Sequence, residues 1–311
     1  MREYFQIGKE KEVYVKSTMK EPFGDRVFNW VNFFFASVFF IIVFYPLLYV
    51  VSSSFSDPQA VISGQVRFLP VGFGFQGYAA VLTQSKVITG YLNSLYYMFV
   101  GTSFNIMMTV LAAYPLSRRD FRERNVIMMI FAFTMLFSGG LIPTFLLIRD
   151  LGLVDTRAVM FIPGGFGVIN VIIVRTFFQV NVPDELLESA KMDGCTDFRF
   201  VLSVVLPLSG AIIAVQALFY SMGHWNAFFT PLIYLRSREL FPLQLVLREI
   251  LLLNQVDPNL FVDLEDQAYR EALNALLRYS LIVVASLPFM LMYPFVQKFF
   301  VKGVLIGSIK G

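Results

Sequence analysis

Residues 185–209 read ELLESAKMDGCTDFRFVLSVVLPLS, charged at one end, apolar at the other, with an Asp-Gly step in the middle. Pro183 suits a first helical position, and Asp184 and Glu185 favour the positive end of a helix dipole. Leu186, Leu187 and Ala190 then fall on one face at helical spacing. Gly194 can end that helix in a left-handed conformation that other residues resist. Thr196 or Asp197 can cap a second short helix through Phe198, Phe200 and Val201, up to Pro207. The stretch predicts helix, sharp turn, helix. Its surface suits either the headgroup layer of a membrane or a soluble partner.

The surroundings decide where such a unit sits. Of 311 residues, 57% are hydrophobic and only 15% charged, against about a quarter charged in an ordinary soluble domain. Uncharged apolar runs long enough to cross a bilayer recur along the chain. Six spans are predicted: 27–51, 87–117, 125–148, 158–174 running past Arg175, one within 209–235, and 279–297. The 26 polar residues at the N-terminus lack the pattern of a signal peptide and read as a cytoplasmic tail. Residues 27–311 form the membrane domain, with 183–207 a cytoplasmic loop between spans 4 and 5, and 236–278 a long extracellular loop. Lys and Arg set the orientation. The tail, the loop 118–124, the stretch 185–209 and the C-terminus carry fifteen of them, the opposite loops nine. Both termini are therefore expected in the cytoplasm and the chain in the plasma membrane. The third and fourth spans contain SGGLIP from Ser138 and PGGFG from Pro163. Broken apolar segments of this kind mark a substrate path or close helix packing.

Glu188-Ser189-Ala190, Asp193-Gly194 and Pro207 resemble, at the same offsets, the cytoplasmic "EAA" loop of permease subunits in binding-protein-dependent ABC importers. Ser189 and Cys195 stand where that pattern has Ala, and both are small. GHWNAFFTPLIYL (223–235), FSGGLIPTFLLIRDLGL (137–153) and the ending YPFVQKFFVKGVLIGSIKG (293–311) are similar to the carbohydrate-uptake class, most of all to Gram-positive permeases for oligosaccharides or polysaccharide fragments. The resemblance covers residues 27–311. It implies an all-α, six-span fold and a coupling helix, with Glu188, Ala190, Asp193, Gly194 and Pro207 meeting an ATPase. The implied partners are a second homologous permease, two ATPase subunits that hold ATP and Mg, and an extracellular lipid-anchored sugar-binding protein.

The chain itself has no phosphate-binding Gly-x-x-x-x-Gly-Lys-Ser/Thr loop, no His-Glu-x-x-His, no Cys-x-x-Cys and no nucleophile elbow. One His and one Cys cannot assemble a metal site or a disulfide. The basic residues lie between spans rather than in one patch, which argues against nucleic acid. Neither enzymatic activity nor a cofactor is expected in this subunit. For a sugar path, His224, Trp225 and Asn226 offer an aromatic ring and an amide inside a span, where polar groups are costly unless they face a cavity or a partner. Asn93, Tyr96, Tyr97 and Asn170 are further candidates. In the long loop, 252–261 is the expected tip, with Asn254, Pro258 and Asn259 against the binding protein. Two other classes compete. An ion-coupled transporter wants an acidic residue deep in a span, and all six spans lack Asp and Glu. A non-transporting membrane scaffold needs no coupling loop.

Overall fold

The computed structural model describes residues 22–253 and 267–308, which are helical with no strand among them. The chain divides into two compact units, residues 1–49 and 50–311. The first is the greater part of helix α1, Phe23–Ser54. Its phenylalanines stack on one another, Phe40 on Phe44 at 5.1 Å, and are largely exposed in the isolated chain. A helix that is apolar all round belongs in lipid or against other helices.

The second unit begins with the end of α1 and two short helices, α2 (Pro58–Ile62), capped by the Asp57 side chain, and α3 (Gln76–Thr83). Helix α4, Ser85–Ser117, is the axis of the unit. At 33 residues it is about 50 Å long. There follow α5 (Arg124–Leu136) and α6 (Leu141–Asp150), a 3-10 turn at Arg157–Met160, and α7 (Val168–Asn181). Then come α8 (Asp184–Met192), α9 (Asp197–Phe200), a π turn at Val201–Val205, α10 (Leu206–Leu208) and α11 (Gly210–Trp225). After α12 (Phe229–Tyr234) and a 3-10 turn at Arg238–Leu240, α13 (Leu243–Leu253) and α14 (Gln267–Ser308) complete the described chain.

Several spans differ from the sequence reading. The third is two helices bent by 115°, broken where Ser138-Gly139-Gly140 interrupts the apolar run. The fourth is not continuous from 158: backbone around Pro163–Gly167 is non-helical, and α7 carries the regular part. Its 14 residues reach about 21 Å, short of the roughly 30 Å of a hydrocarbon core. The fifth enters at an 85° bend between Leu208 and Gly210. Among the described residues, three helices are long and apolar enough to cross a membrane, five if each bent pair counts as one. The described part of the expected long loop is largely helical, occupied by α13 and the first turns of α14.

Three clusters of buried side chains lie along α4. Near its C-terminal end, Val110, Ala113 and Leu116 meet Val171, Val174 and Phe178 of α7, Leu187 of α8 and Phe200 of α9. Toward its start, Val87 and Met98 meet Trp225 of α11, Leu243, Val246 and Ile250 of α13, and Leu277 and Leu281 of α14. A third joins Tyr97 to Ile148, Val159, Met160 and Tyr234. Gly90 allows the closest approach of α13. A Cβ there would lie 2.9 Å from Val246 Cγ2 and 3.3 Å from the Leu243 Cα. Backbone cannot swing aside as a side chain can, so Gly90→Val should overpack the seam by about 1–3 kcal/mol. The expected result is a lower thermal midpoint of the detergent-purified protein. An unchanged midpoint would mean that α13 does not seat on α4.

Candidate functional site

The helix-turn-helix unit lies at the C-terminal end of α4. Its first helix begins at Asp184, with Pro183 as the extended cap, one residue later than the sequence suggests. Leu187 is buried and Ala190 half-buried, but Leu186 is exposed, so the inward face is narrower than its spacing implies. Gly194 adopts φ 73°, the left-handed turn that its sequence position predicts. The Cys195 amide donates back to the Ala190 carbonyl at 2.9 Å and the Gly194 amide to Lys191 at 3.0 Å, closing the helix end. Thr196 caps α9 by accepting from the Arg199 amide. Pro207 is exposed in the three-residue helix α10, after the π turn.

Two contacts fix this unit to α4. Phe200, fully buried, packs in the cluster around Leu116. Arg118, directly after α4, pairs with Asp184 at 3.1 Å and with Asp120 at 3.4 Å. The Arg118 side chain is 13% exposed, so this pair is less screened than a surface pair. Glu188, Ser189, Asp193 and Gly194 point outward, with Met192 and Phe198 strongly exposed beside them. An apolar cleft of about 430 Å³ beside these contacts is lined by Val110, Tyr114 and Arg118 together with Leu187, Asp197 and Phe198.

A polar network sits at the break before α7. Asn105 of α4 is 1% exposed and donates to the carbonyls of Gly164 at 2.7 Å and Gly165 at 2.9 Å. Its amide oxygen meets His224 Nε2, and the His224 ring lies against Gly101, which has no side chain to obstruct it. Tyr220 bonds Thr109 at 2.6 Å and accepts from the Gly167 amide at 3.2 Å. Gln216, one turn before Tyr220, is 2% exposed with neither amide atom paired among the described residues.

The sequence-predicted path residues separate into two kinds. Trp225 is 1% exposed, donates from Nε1 to the Ala285 carbonyl at 3.1 Å, and packs edge-on against Tyr91 and Phe289. Asn93 is buried and donates to the carbonyls of Glu239 and Phe241, while the fully buried Tyr97 donates to that of Leu240. In this conformation these three hold helices and the 238–241 segment together. His224 and Asn170 are half-buried, and Asn226 and Tyr96 are exposed. Asn254, Pro258 and Asn259 lie outside the described residues. The sequence reading missed Asn105, Thr109 and Tyr220, polar groups on apolar helices whose partners become visible only once the break at 163–167 is folded.

No family model matches the sequence. Its relatives fix the class and the family: the chain belongs to the permease subunits of sugar ABC transporters. The polygalacturonan/rhamnogalacturonan transport system permease protein YtcP of Bacillus subtilis is 36% identical over 92% of this chain and 99% of its own length. Protein LplC of the same organism is 36% identical over 94% of this chain and 98% of its own. The arabinooligosaccharides permease AraQ of Halalkalibacterium halodurans is 26% identical over 89% and 94%. In three dimensions the chain superposes on a bacterial ABC transporter involved in import of the acidic polysaccharide alginate, with a TM-score of 0.80 and 32% identity over 91% of this chain and 100% of that one.

At the other end of α4, Asp155 closes the turn before Arg157. It is one of few side-chain-bearing residues with positive φ, 58°. Its carboxylate accepts from the Arg236 and Ser237 amides, each at 2.8 Å, and from Ser237 Oγ at 2.6 Å. These bonds, Ser237 Oγ first, hold the Asp155 carboxyl below the usual carboxylate range. A depressed folded pKa gives a contribution present above the unfolded value and lost as pH falls through the folded one. The clasp should therefore be closed at neutral pH and open in acid. Hydrogen exchange at the Arg236 and Ser237 amides, corrected for intrinsic rates, should rise below the carboxylate range and at neutral pH in Asp155→Ala. Unaltered protection in both cases would remove the clasp.

Proposed function

We propose that this permease forms half of the translocation path of an ATP-driven importer of oligosaccharides and is coupled to its ATPase through residues 183–207. The observation that carries the reading is the anchored helix-turn-helix. Leu187, Phe200 and Arg118 bind it to the bundle while Glu188, Ser189, Asp193 and Gly194 face outward. A partner seated on that face moves the unit as one body with α4 and α7. Ala190 packs beneath it, and Pro207 stands where the unit turns into α11.

In this reading the protein crosses the plasma membrane six times, with α7 and the irregular segment before it serving as the fourth crossing and both termini in the cytoplasm. Residues 1–26 form a tail, 27–311 the permease domain, and 236–278 the extracellular connection. A second homologous permease supplies the other half of the path. Two ATPase subunits hold ATP and Mg, and a lipid-anchored extracellular protein delivers the sugar. The half-buried His224 and Asn170 and the exposed Asn226 are the best placed of the predicted path residues. Trp225, Asn93 and Tyr97 reach cargo only if the bundle rearranges. The names of the relatives support sugars of more than one unit.

Gly194→Val should strain the left-handed turn by about 1–2 kcal/mol, with nothing within 4 Å of the new Cβ to clash. Membrane insertion should survive, while the presentation of Glu188 and Asp193 should not. Both Gly194→Val and Glu188→Lys are expected to lower co-purification of the ATPase and to cut sugar uptake at least about tenfold, equivalent to about 1.4 kcal/mol. The chain purified alone should hydrolyse no ATP. Full ATPase retention in both variants would end the coupling assignment, and hydrolysis by the isolated chain would end the division of labour.

A further inference from the structure

Between α1 and α4 the chain runs from Phe68 to Ser85 without a charge. Residues 68–75, FLPVGFGF, carry no side chain that donates or accepts a hydrogen bond. They are non-helical and connect α2 to α3. Their large side chains point outward: Leu69 is 75% exposed, Phe73 66%, and Phe68 and Phe75 are similarly open. A surface that gathers large apolar groups in this way calls for something to cover them.

The main chain of this loop is bonded from the protein side. Ser52 Oγ donates to the Phe68 carbonyl at 2.7 Å. The Val71 amide donates to Ser56 Oγ at 3.1 Å, and the Val71 carbonyl accepts from the Asp57 amide at 2.8 Å. The Gly74 amide donates to the Phe55 carbonyl at 2.8 Å. Gly72, at φ 67°, permits the close approach: a Cβ there would lie 2.9 Å from Asp57 Cβ. The rings are held as well. Phe73 stacks on Phe55 at 5.5 Å, Phe75 meets Phe55 edge-on at 5.7 Å, and Tyr78, 5.0 Å from Phe55, bonds Ser54 through its hydroxyl at 2.8 Å. Irregular backbone approaches lipid only when its polar groups are satisfied by protein, and the buried serines at the end of α1 meet that condition here.

Helix α1 sets the level of the loop. Residues 27–56 contain no charge, a run long enough to reach the far face of a bilayer. Ser52, Phe55 and Ser56, which hold the loop, stand at the end of that run. We propose that residues 68–75 dip their apolar side chains into the headgroup–acyl boundary of the leaflet at which α1 ends, so that the partner of this surface is lipid. Insertion to this shallow depth is what an apolar surface segment achieves without spanning. Arg67, exposed just before the loop, reaches back to the phosphates. Asp57 is committed to the Gln59 amide at the cap of α2. A protein seated here would want hydrogen bonds at its rim, and 68–75 has no side chain to give them. The anchored loop also sets the level of α14, because Gly77 of α3 lies against Ser280 and Leu276. The leaflet is the outer one in the importer reading, on which the inference rests for its side alone.

The test uses the complete importer in proteoliposomes of phosphatidylcholine and phosphatidylglycerol. The cysteines of all subunits, Cys195 included, are replaced by Ser, and assembly is checked by co-purification. Leu69→Cys, Phe73→Cys and, as the aqueous reference, Gln65→Cys each carry the environment-sensitive fluorophore NBD. Leu69 stands outside the ring cluster, so its replacement leaves the loop's packing in place. Labels at 69 and 73 should emit at shorter wavelength than the label at 65, lose most of their intensity to doxyl-labelled lipid and resist iodide. The label at 65 should do the reverse. Quenching of 69 and 73 by iodide and not by doxyl-lipid would overturn the inference. Shielding from both quenchers would overturn it too, because the second permease then covers the loop. Shielding from iodide that appears only when the binding protein is added would hand the surface to that protein. In right-side-out membrane vesicles, external dithionite should reduce the labels at 69 and 73. Protection from dithionite with doxyl quenching retained would uphold the insertion and overturn the orientation in the importer reading.

Discussion

Backbone that leaves the helical ladder inside a membrane must find its hydrogen bonds elsewhere, because hydrocarbon supplies none. The segment around Pro163–Gly167 meets that demand through α4. Asn105 donates to the carbonyls of Gly164 and Gly165, and Tyr220, held by Thr109, accepts from the Gly167 amide. Remove Asn105 and two carbonyls are orphaned together, each at a cost of about 1–3 kcal/mol. The break is therefore a built feature of the bundle, and it sets where α7 starts, how far it reaches and what it delivers to the coupling unit.

Helix α4 connects that break to the helix-turn-helix unit at one end and to the 239–241 segment at the other. Toward its C-terminus it carries the buried contact of Phe200 and the ion pair of Arg118 with Asp184. Toward its N-terminus, Ser94 accepts from the Leu243 amide at 2.8 Å, and Asn93 and Tyr97 bind the 239–241 carbonyls. Pro115 lies inside α4 and donates no backbone bond, so the ladder is interrupted just before the Leu116 and Arg118 contacts, and the buried packing of Leu116 and Phe200 holds that last turn to the rest of the unit.

Much of this was readable in the residues, and unevenly. Apolar runs announced α1, α4 and α14, because lipid imposes length and composition together. Gly194 announced its turn, because few other residues tolerate a positive φ, and Thr196 announced its cap. The breaks at 138–140 and 163–167 were visible as SGG and PGG, but the 115° bend at the first, and the 85° bend at Ser209 that neither motif marks, depend on tertiary contacts that no local pattern encodes. The path residues were the least legible. A Trp or Asn on an apolar helix signals a costly polar atom that needs a partner, yet it does not say whether the partner is a sugar or a carbonyl. For Trp225, Asn93 and Tyr97 the partner found here is a carbonyl. Asp155 was passed over because an exposed acid in a short turn carries no periodic signal at all.

The short α7 joins these observations into one mechanism of transmission. Its amides begin at the glycine break and its last turn runs almost directly into α8, with the Val182 amide still donating to Phe178 at 2.9 Å and Val182 itself buried. Arg175 donates from Nε to the Leu116 carbonyl at 2.8 Å, tying the same helix to the end of α4. The backbone is extended at Val182 and Pro183, so α7 and α8 are joined there by the buried Val182 side chain rather than by a continuous helix. At its other end α7 meets Gly164-Gly165 under the Asn105 amide. That amide also meets His224, so one buried side chain satisfies both the glycine break and the polar ring of α11. In the coupling role proposed for residues 183–207, a shift of α7 at that break would therefore also disturb the contact with His224.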